Sequence, residues 1–294
     1  MIKNLLMYPG GKVYLVPRLL RLLPNFEEYR EPFAGGMALA LAVAQTKENI
    51  KIVVSDIDEN VATFWRIVRD KPEELVNTIY SIAGRFNDYR EMFHWLWNSE
   101  VQDDIFRAAR FFILNRCSFG GKVLPGMYSP LAAKTRFGQH FIQRILKVSP
   151  IIKDFEILCA SYETLLFRSG KNVFIFVDPP YTDCNRVYSH DSPEFDYNKL
   201  LSDLTKTPHK WLMTFGSDPV VAAKCRSYGF HVFGWYVQRY MPRDTSRPKA
   251  KEIVVTNYEL SVEQIKSADL KRVVIEEDIA FEEASLPHNC PNVL

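Results

Sequence analysis

The chain has 294 residues, 47% hydrophobic and 24% charged, proportions that exclude a disordered, collagen-like or disulfide-scaffold protein. Its formal net charge of +2 names no partner, and the longest apolar stretch, Met37 to Ala44, falls far short of the ~20 residues that span a bilayer. The five cysteines form no CxxC pair, so they read as reduced thiols of a cytoplasmic protein rather than as bridges or a zinc site.

At the N-terminus a Pro9-Gly10-Gly11 turn interrupts the chain before any signal-peptide apolar region develops. Glu28 to Pro32 reads as a short strand running into a glycine turn, and Met37 to Gln45 as a small, apolar, buried helix. Ile50 to Ser55 is a continuous β-branched run, the mark of a strand covered on both faces, and it ends at Asp56-Ile57-Asp58. Strand, glycine turn, helix and strand make a βαβ unit and predict a parallel sheet.

From Glu59 to about Pro150 the periods are helical, as in Val61–Val68 and Ile105–Leu114, with a glycine- and proline-broken loop from Ser118 to Pro130. Strands are expected again at Phe155–Ala160, Val173–Val177, Trp211–Phe215 and His231–Tyr236, with Ile253–Tyr258 pairing near an edge. The predicted layout is an α/β domain formed by residues 1–58 and 151–260. A helical, basic insertion over 59–150 interrupts it, and an acidic extension over 261–294 follows. That extension fits either a solvated helix or a short strand and helix.

Charge is unevenly placed. The 49 residues from Ile105 to Lys153 hold nine Lys or Arg and no Asp or Glu. Lys224 to Lys251 holds seven Lys or Arg against Asp244 alone, and Glu259 to Leu294 reverses the sign with eight acidic residues against three basic. An acid-free segment interleaved with Phe111, Asn115, Phe119 and Tyr128 suits phosphate contacts with nearby stacking groups, and so a nucleic acid. The alternative is a basic helix balanced by acids elsewhere in the fold.

The sharpest motif is Asp178-Pro179-Pro180-Tyr181, directly after the apolar strand VFIFV. Ligands of open α/β sheets sit beyond the carboxyl ends of strands. Two prolines fix φ and donate nothing, so the Asp178 side chain and the Pro179 carbonyl form a rigid corner of acceptors beside the aromatic Tyr181. Two acceptors and a ring match an exocyclic amine on a planar base. A second motif, Glu31-Pro32-Phe33-Ala34-Gly35-Gly36, lets a ligand approach the backbone after the first strand. Asp56, twenty residues beyond Gly36, can accept from a ribose diol; Asp58 competes for that role. Third comes Tyr8-Pro9-Gly10-Gly11-Lys12, a glycine turn presenting a lysine to a carboxylate or phosphate, or an ordinary surface turn. The GxGxxG spacing of nicotinamide enzymes is absent.

The order of these parts resembles the Dam-like adenine-specific DNA methyltransferases (D12 class, alpha group), in which a target-recognition domain is inserted before DPPY. Trp211–Ser217 and Glu252-Ile-Val-Val-Thr-Asn-Tyr258 resemble that family's late strands. The resemblance implies a Rossmann-like S-adenosylmethionine-dependent methyltransferase domain with a mainly helical inserted target-recognition domain. Asp178, Pro179, Pro180 and Tyr181 would then be catalytic. Lys12 and the Gly10–Gly11 turn would help hold the methionine carboxylate of S-adenosylmethionine, and Tyr8 and Asp178 would also bind the cofactor. Phe33, Gly35 and Gly36 would line the cofactor, Asp56 would take its ribose hydroxyls, and Tyr162 would pack near its adenine.

Double-stranded DNA would be gripped by Arg116, Lys122, Lys134 and Arg136, and by Arg243 and Arg247 of the Arg239–Lys251 loop, around a flipped adenine. No metal and no membrane are expected; a cognate restriction endonuclease is a candidate partner, and a monomer is expected in solution. Ser161 stands where family members often carry an acidic residue, and Asn115–Gly121 does not continue into a GATC-reading pattern. The competing readings are an RNA adenine methyltransferase and a DNA-binding relative without catalysis.

Overall fold

A computed structural model describes residues 5–8, 11–123, 126–180, 195–216, 218–237 and 250–272. After Gly11 a 3-10 turn, Lys12–Tyr14, leads into α1 (Val16–Leu22), β1 (Glu28–Glu31), α2 (Ala38–Thr46) and β2 (Lys51–Asp56). This is the expected βαβ unit, and β1 and β2 pair in parallel with Glu31 beside Val54.

The helical stretch comes next: α3 (Glu59–Asp70), α4 (Pro72–Ala83), α5 (Tyr89–Asn98), α6 (Asp104–Cys117), α7 (Pro130–Arg136), α8 (Gln139–Ile142) and α9 (Arg144–Val148). Its start signals lie in the sequence. Asp58, Asp88 and Asp103 accept from backbone N–H groups at the starts of α3, α5 and α6, and Pro72 and Pro130 open α4 and α7. Phe64 of α3 stacks on Phe112 of α6 at 5.8 Å. The same buried cluster continues to Leu39, Val54 and Phe174 on one face of the sheet.

The sheet resumes with β3 (Glu156–Cys159), α10 (Tyr162–Phe167), β4 (Val173–Val177), α11 (Tyr197–Lys206), β5 (Lys210–Gly216), α12 (Pro219–Ser227) and β6 (His231–Val237). It closes with β7 (Ala250–Thr256), α13 (Val262–Ser267) and the two-residue β8 (Lys271–Arg272). The eight strands lie in the order β3-β2-β1-β4-β5-β7-β6-β8. Strands β3 to β5 run parallel, whereas β7 is antiparallel to both β5 and β6. Strand β4 is buried on both faces. Val173, Ile175 and Val177 pack with Leu201 and Trp211 on one side, and Phe174 and Phe176 join the opposite cluster.

The Ile253–Tyr258 segment lies near one end of the sheet, as expected, but not at its edge: β7 pairs with β5 and β6 and is third from the β8 end, with Ile253, Val254 and Val255 at 2%, 0% and 0% exposure. A strand covered on both faces needs apolar residues at successive positions, as in β2. The acidic extension contributes α13 and β8, anchored where Trp235 Nε1 donates to the Ala268 carbonyl at 2.7 Å. Its residues from 273 onward lie outside the described residues, as do Gly10, Tyr181, Ser217, Arg243 and Arg247.

Candidate active site

Strand order reverses between β1 and β4: β2 and β3 follow on one side, β5 on the other. In an open α/β sheet the crevice at such a reversal, beyond the carboxyl ends of the strands, is where ligands bind. Phe33–Gly36 leaves β1 at this edge and Asp178-Pro179-Pro180 leaves β4 there, so the first two sequence motifs converge. Because β7 runs the opposite way, its beginning lies at the same edge, with Glu252 opposite Gly216 at the end of β5.

Asp178 is fixed on one oxygen. Oδ1 accepts from Lys12 Nζ at 2.6 Å and from the buried Thr214 hydroxyl at 3.0 Å. Thr214 follows Met213, the β5 partner of Val177, so neighbouring strands place it beside Asp178. Lys12 is 3% exposed and lies between Asp178 and Glu252, the latter at 3.4 Å. Glu252, itself 2% exposed, joins this cluster, although in the sequence it marks only the start of a late strand.

Beneath this cluster, Glu31 is buried. Its Oε2 accepts from the Tyr29 hydroxyl at 2.7 Å and from Ala40 N, in the first turn of α2, at 3.0 Å. Burial pushes its carboxyl up to about 8, against the opposing effect of the Tyr29 hydrogen bond.

Gly35 adopts φ 41, a left-handed conformation that favours glycine, and a side chain there would meet the Tyr8 ring at 3.5 Å. Its N–H donates to Asp56 Oδ2 at 2.9 Å, its carbonyl accepts from Trp65 Nε1 at 2.8 Å, and Asp58 N donates to Asp56 Oδ1 at 3.0 Å. Burial raises the Asp56 carboxyl to about 6, countered by these backbone donors. An ionised carboxylate has about four lone-pair sites, so acceptor capacity remains. Asp58, the competitor, is the N-cap of α3 and is engaged with Asn60 N at 2.8 Å.

Phe33 stacks on Tyr162 at 5.6 Å and 21°, and Phe195 stands edge-on to both. The Tyr162 hydroxyl donates to Asp203 at 2.9 Å, and Lys199 reaches both groups. Gly11 N donates to Tyr8 O at 3.0 Å, closing the N-terminal turn, and Gly36 follows Gly35 toward Met37.

The basic segment divides in two. Arg107 pairs with Glu59, and Arg110 donates to the carbonyls of Leu96 and Trp97, so both serve the helical packing. Arg116 is 2% exposed, with its guanidinium over the Phe141 ring at 4.1 Å, and burial lowers it to about 10. The sequence suggests DNA as the partner of Arg116; here its charge faces the half-buried Phe141 ring. Lys122 and Arg136 are half-buried, and Lys134 and Lys147 are exposed. Asn115 is a staple: Nδ2 donates to the carbonyls of Met7 and Gly121, and Oδ1 accepts from Met7 N, all at 2.8 Å. Gly121 has φ 79, and a Cβ there would lie 2.1 Å from the Met7 carbonyl oxygen. Among the described residues no three His, Cys, Asp or Glu gather as a metal site, and no helix is long and apolar enough to cross a membrane.

The chain is similar to the Type II methyltransferase M.MjaIII of Methanocaldococcus jannaschii, 26% identical over 218 residues that cover 67% of this chain and 75% of that protein. It is 23% identical over 275 residues to the Type II methyltransferase M1.LlaDCHI of Lactococcus lactis subsp. cremoris, 85% of this chain and 94% of the relative. Against a DNA adenine methylase of Vibrio cholerae the identity is 24% over 222 residues, 70% of this chain and 76% of that one. Residues 8–235 match the family described as D12 class N6 adenine-specific DNA methyltransferase. From the Tyr8 ring over Gly35 to strand β6, that span holds every part of the crevice except Glu252, and the chain belongs to this family of adenine-specific DNA methyltransferases.

Proposed function

We propose that the chain methylates the N6 amine of an adenine flipped out of double-stranded DNA, with S-adenosylmethionine as donor and Asp178 and Pro179 as the groups that receive the amine. The crevice suits that donor. It offers a carboxylate, Asp56, for a ribose diol, the flat rings of Phe33, Tyr162 and Phe195 for a purine, and a bare backbone at Gly35 for close approach. When bound, S-adenosylmethionine supplies an electrophilic methyl group on a sulfonium. Lys12 contributes charge balance inside the cluster, a different part from the carboxylate clamp that its glycine turn suggests.

The observation that carries this reading is the fixing of Asp178 Oδ1 by Lys12 and Thr214 at the end of β4. Oδ2 is then the oxygen that accepts one N6 hydrogen, while the Pro179 carbonyl accepts the other. Accepting both hydrogens returns electron density to a nitrogen otherwise delocalised into the ring, and the surplus proton leaves through Asp178. Tyr181, outside the described residues, is the ring proposed to stack on the base. The protonated state that burial favours for Glu31 keeps a further negative charge out of the cluster at neutral pH.

Extruding the base costs a few kcal/mol. Lys122, Lys134, Arg136 and Lys147 on the helical segment, with Arg243 and Arg247 of the late loop, are proposed to offset that cost on phosphates, with affinity falling as salt rises. The helices within residues 59–150 then act as the target-recognition unit. The reading is tested with Asp178→Ala and tritiated S-adenosylmethionine on DNA from a methylation-free host. Label transfer to adenine is expected to vanish; transfer at the wild-type rate overturns the assignment.

A further inference from the structure

The segment that enters α11 touches two parts of the crevice at once. Asp196 caps α11 by accepting from Lys199 N at 2.9 Å, which fixes the direction in which its neighbours leave the helix. Tyr197 is 8% exposed, edge-on to Phe215 of β5 and to Phe195, with ring centroids 6.5 and 5.3 Å away. Its hydroxyl donates to the Pro180 carbonyl at 2.7 Å. Phe195, two residues earlier, meets Phe33 at 5.7 Å and Tyr162 at 6.2 Å.

A proline pair has no N–H with which to tie itself down. The corner after β4 is therefore held through its carbonyls and the Asp178 side chain. The carbonyl that Tyr197 grips belongs to the peptide leading from Pro180 into Tyr181. Apolar packing at position 197 needs only the ring, since phenylalanine fills the same space; the hydroxyl is what fixes that peptide. Buried tyrosines find a partner for the hydroxyl, and here the partner belongs to the acceptor corner itself.

From this geometry we infer that Tyr197 is a positioning residue for methyl transfer. Its hydroxyl sets the Pro180 peptide, and with it the aim of the Asp178–Pro179 acceptors. Its ring backs Phe195 against the Phe33–Tyr162 pair where the cofactor purine is proposed to lie. The inference rests on the catalytic reading given above, and Asp178→Ala separates the two. If Asp178→Ala retains full activity, that reading fails; if Asp178→Ala is inactive and Tyr197→Phe is not slowed, this inference alone fails.

The test compares Tyr197→Phe with Tyr197→Leu. Removing the hydroxyl is expected to lower kcat about tenfold while KM for S-adenosylmethionine and its calorimetric Kd stay within about twofold, the pattern of an interaction made in the transition state. The melting temperature is expected to move by no more than about 4 °C, the scale of one lost hydrogen bond in a chain this size. Tyr197→Leu also removes the ring and is expected to weaken the calorimetric Kd several-fold. A wild-type kcat in Tyr197→Phe overturns the inference, and so does a parallel loss of kcat, cofactor affinity and melting temperature in both variants.

Discussion

Lys12 and Asp178 are 166 positions apart in the chain and joined by an ion pair of 2.6 Å, with Glu252 on the far side of the same ammonium at 3.4 Å. Removing one member of a buried pair leaves an uncompensated charge and costs about 3–5 kcal/mol. Lys12→Met is therefore expected to lose about 3 kcal/mol in urea unfolding, because two carboxylates then face each other. Glu252→Gln keeps the Lys12–Asp178 pair and is expected to fold normally. In the double variant one carboxylate has gone, so its stability is expected to exceed that of Lys12→Met alone. Simple additivity of the two losses contradicts the shared-ammonium arrangement.

With Asp56 in its proposed role of holding the ribose diol, cofactor binding responds to acid. Its carboxyl lies at about 6 in the folded protein, raised by burial. Only the ionised form carries the charge and full acceptor capacity for a diol, so affinity is lost as pH falls through 6 and is flat above 7. Calorimetric Kd for S-adenosylmethionine is expected to weaken by up to about tenfold per pH unit below that point, the limit for one linked proton. Asp56→Asn is expected to bind weakly with no such slope. A pH-dependence that survives in Asp56→Asn assigns it to another group.

Glu31 predicts a stability trend of opposite sense. Its folded carboxyl lies at about 8, above the ordinary 4.5. Between those values the unfolded chain has released the proton while the folded chain still holds it. Stability is thus highest at the acid side of the window, falls as pH rises through 8, and levels off beyond. Urea midpoints from pH 6 to pH 9.5 are expected to decline in the wild type. In Glu31→Gln, which keeps the shape without the ionisation, that component of the decline is expected to disappear. An equal slope in both proteins removes Glu31 as its source.

What the sequence discloses follows the range of the forces involved. The βαβ start, the buried strand Val173–Val177 and the Asp-Pro-Pro corner after it depend on neighbours in the chain, and all lie where the patterns put them. Asp56 and Gly35 come together because β1 and β2 are adjacent and parallel: Asp56 ends β2, and Gly35 lies in the turn that follows β1. The place of β7 between β5 and β6 is not legible, because strand order is set by pairing between distant segments. Nor is the burial of Lys12 and Arg116. A lysine after two glycines and an arginine among basic residues read as solvent-facing until Asp178, Glu252 and Phe141 are brought beside them. Asn115 stands out in the sequence within the basic segment, but two of its three hydrogen bonds, those to Met7, depend on a contact across more than a hundred residues.

The antiparallel insertion of β7 has a consequence for the order of events at the ribosome. A growing polypeptide that has emerged as far as Asp178 holds the acceptor corner and the Lys12 ammonium, yet lacks both Thr214 and Glu252. The cluster is complete only when β7, made after both of its neighbours in the sheet, brings in Glu252. Until then a partly synthesised molecule carries the basic helical segment without the finished charge cluster beside Asp178.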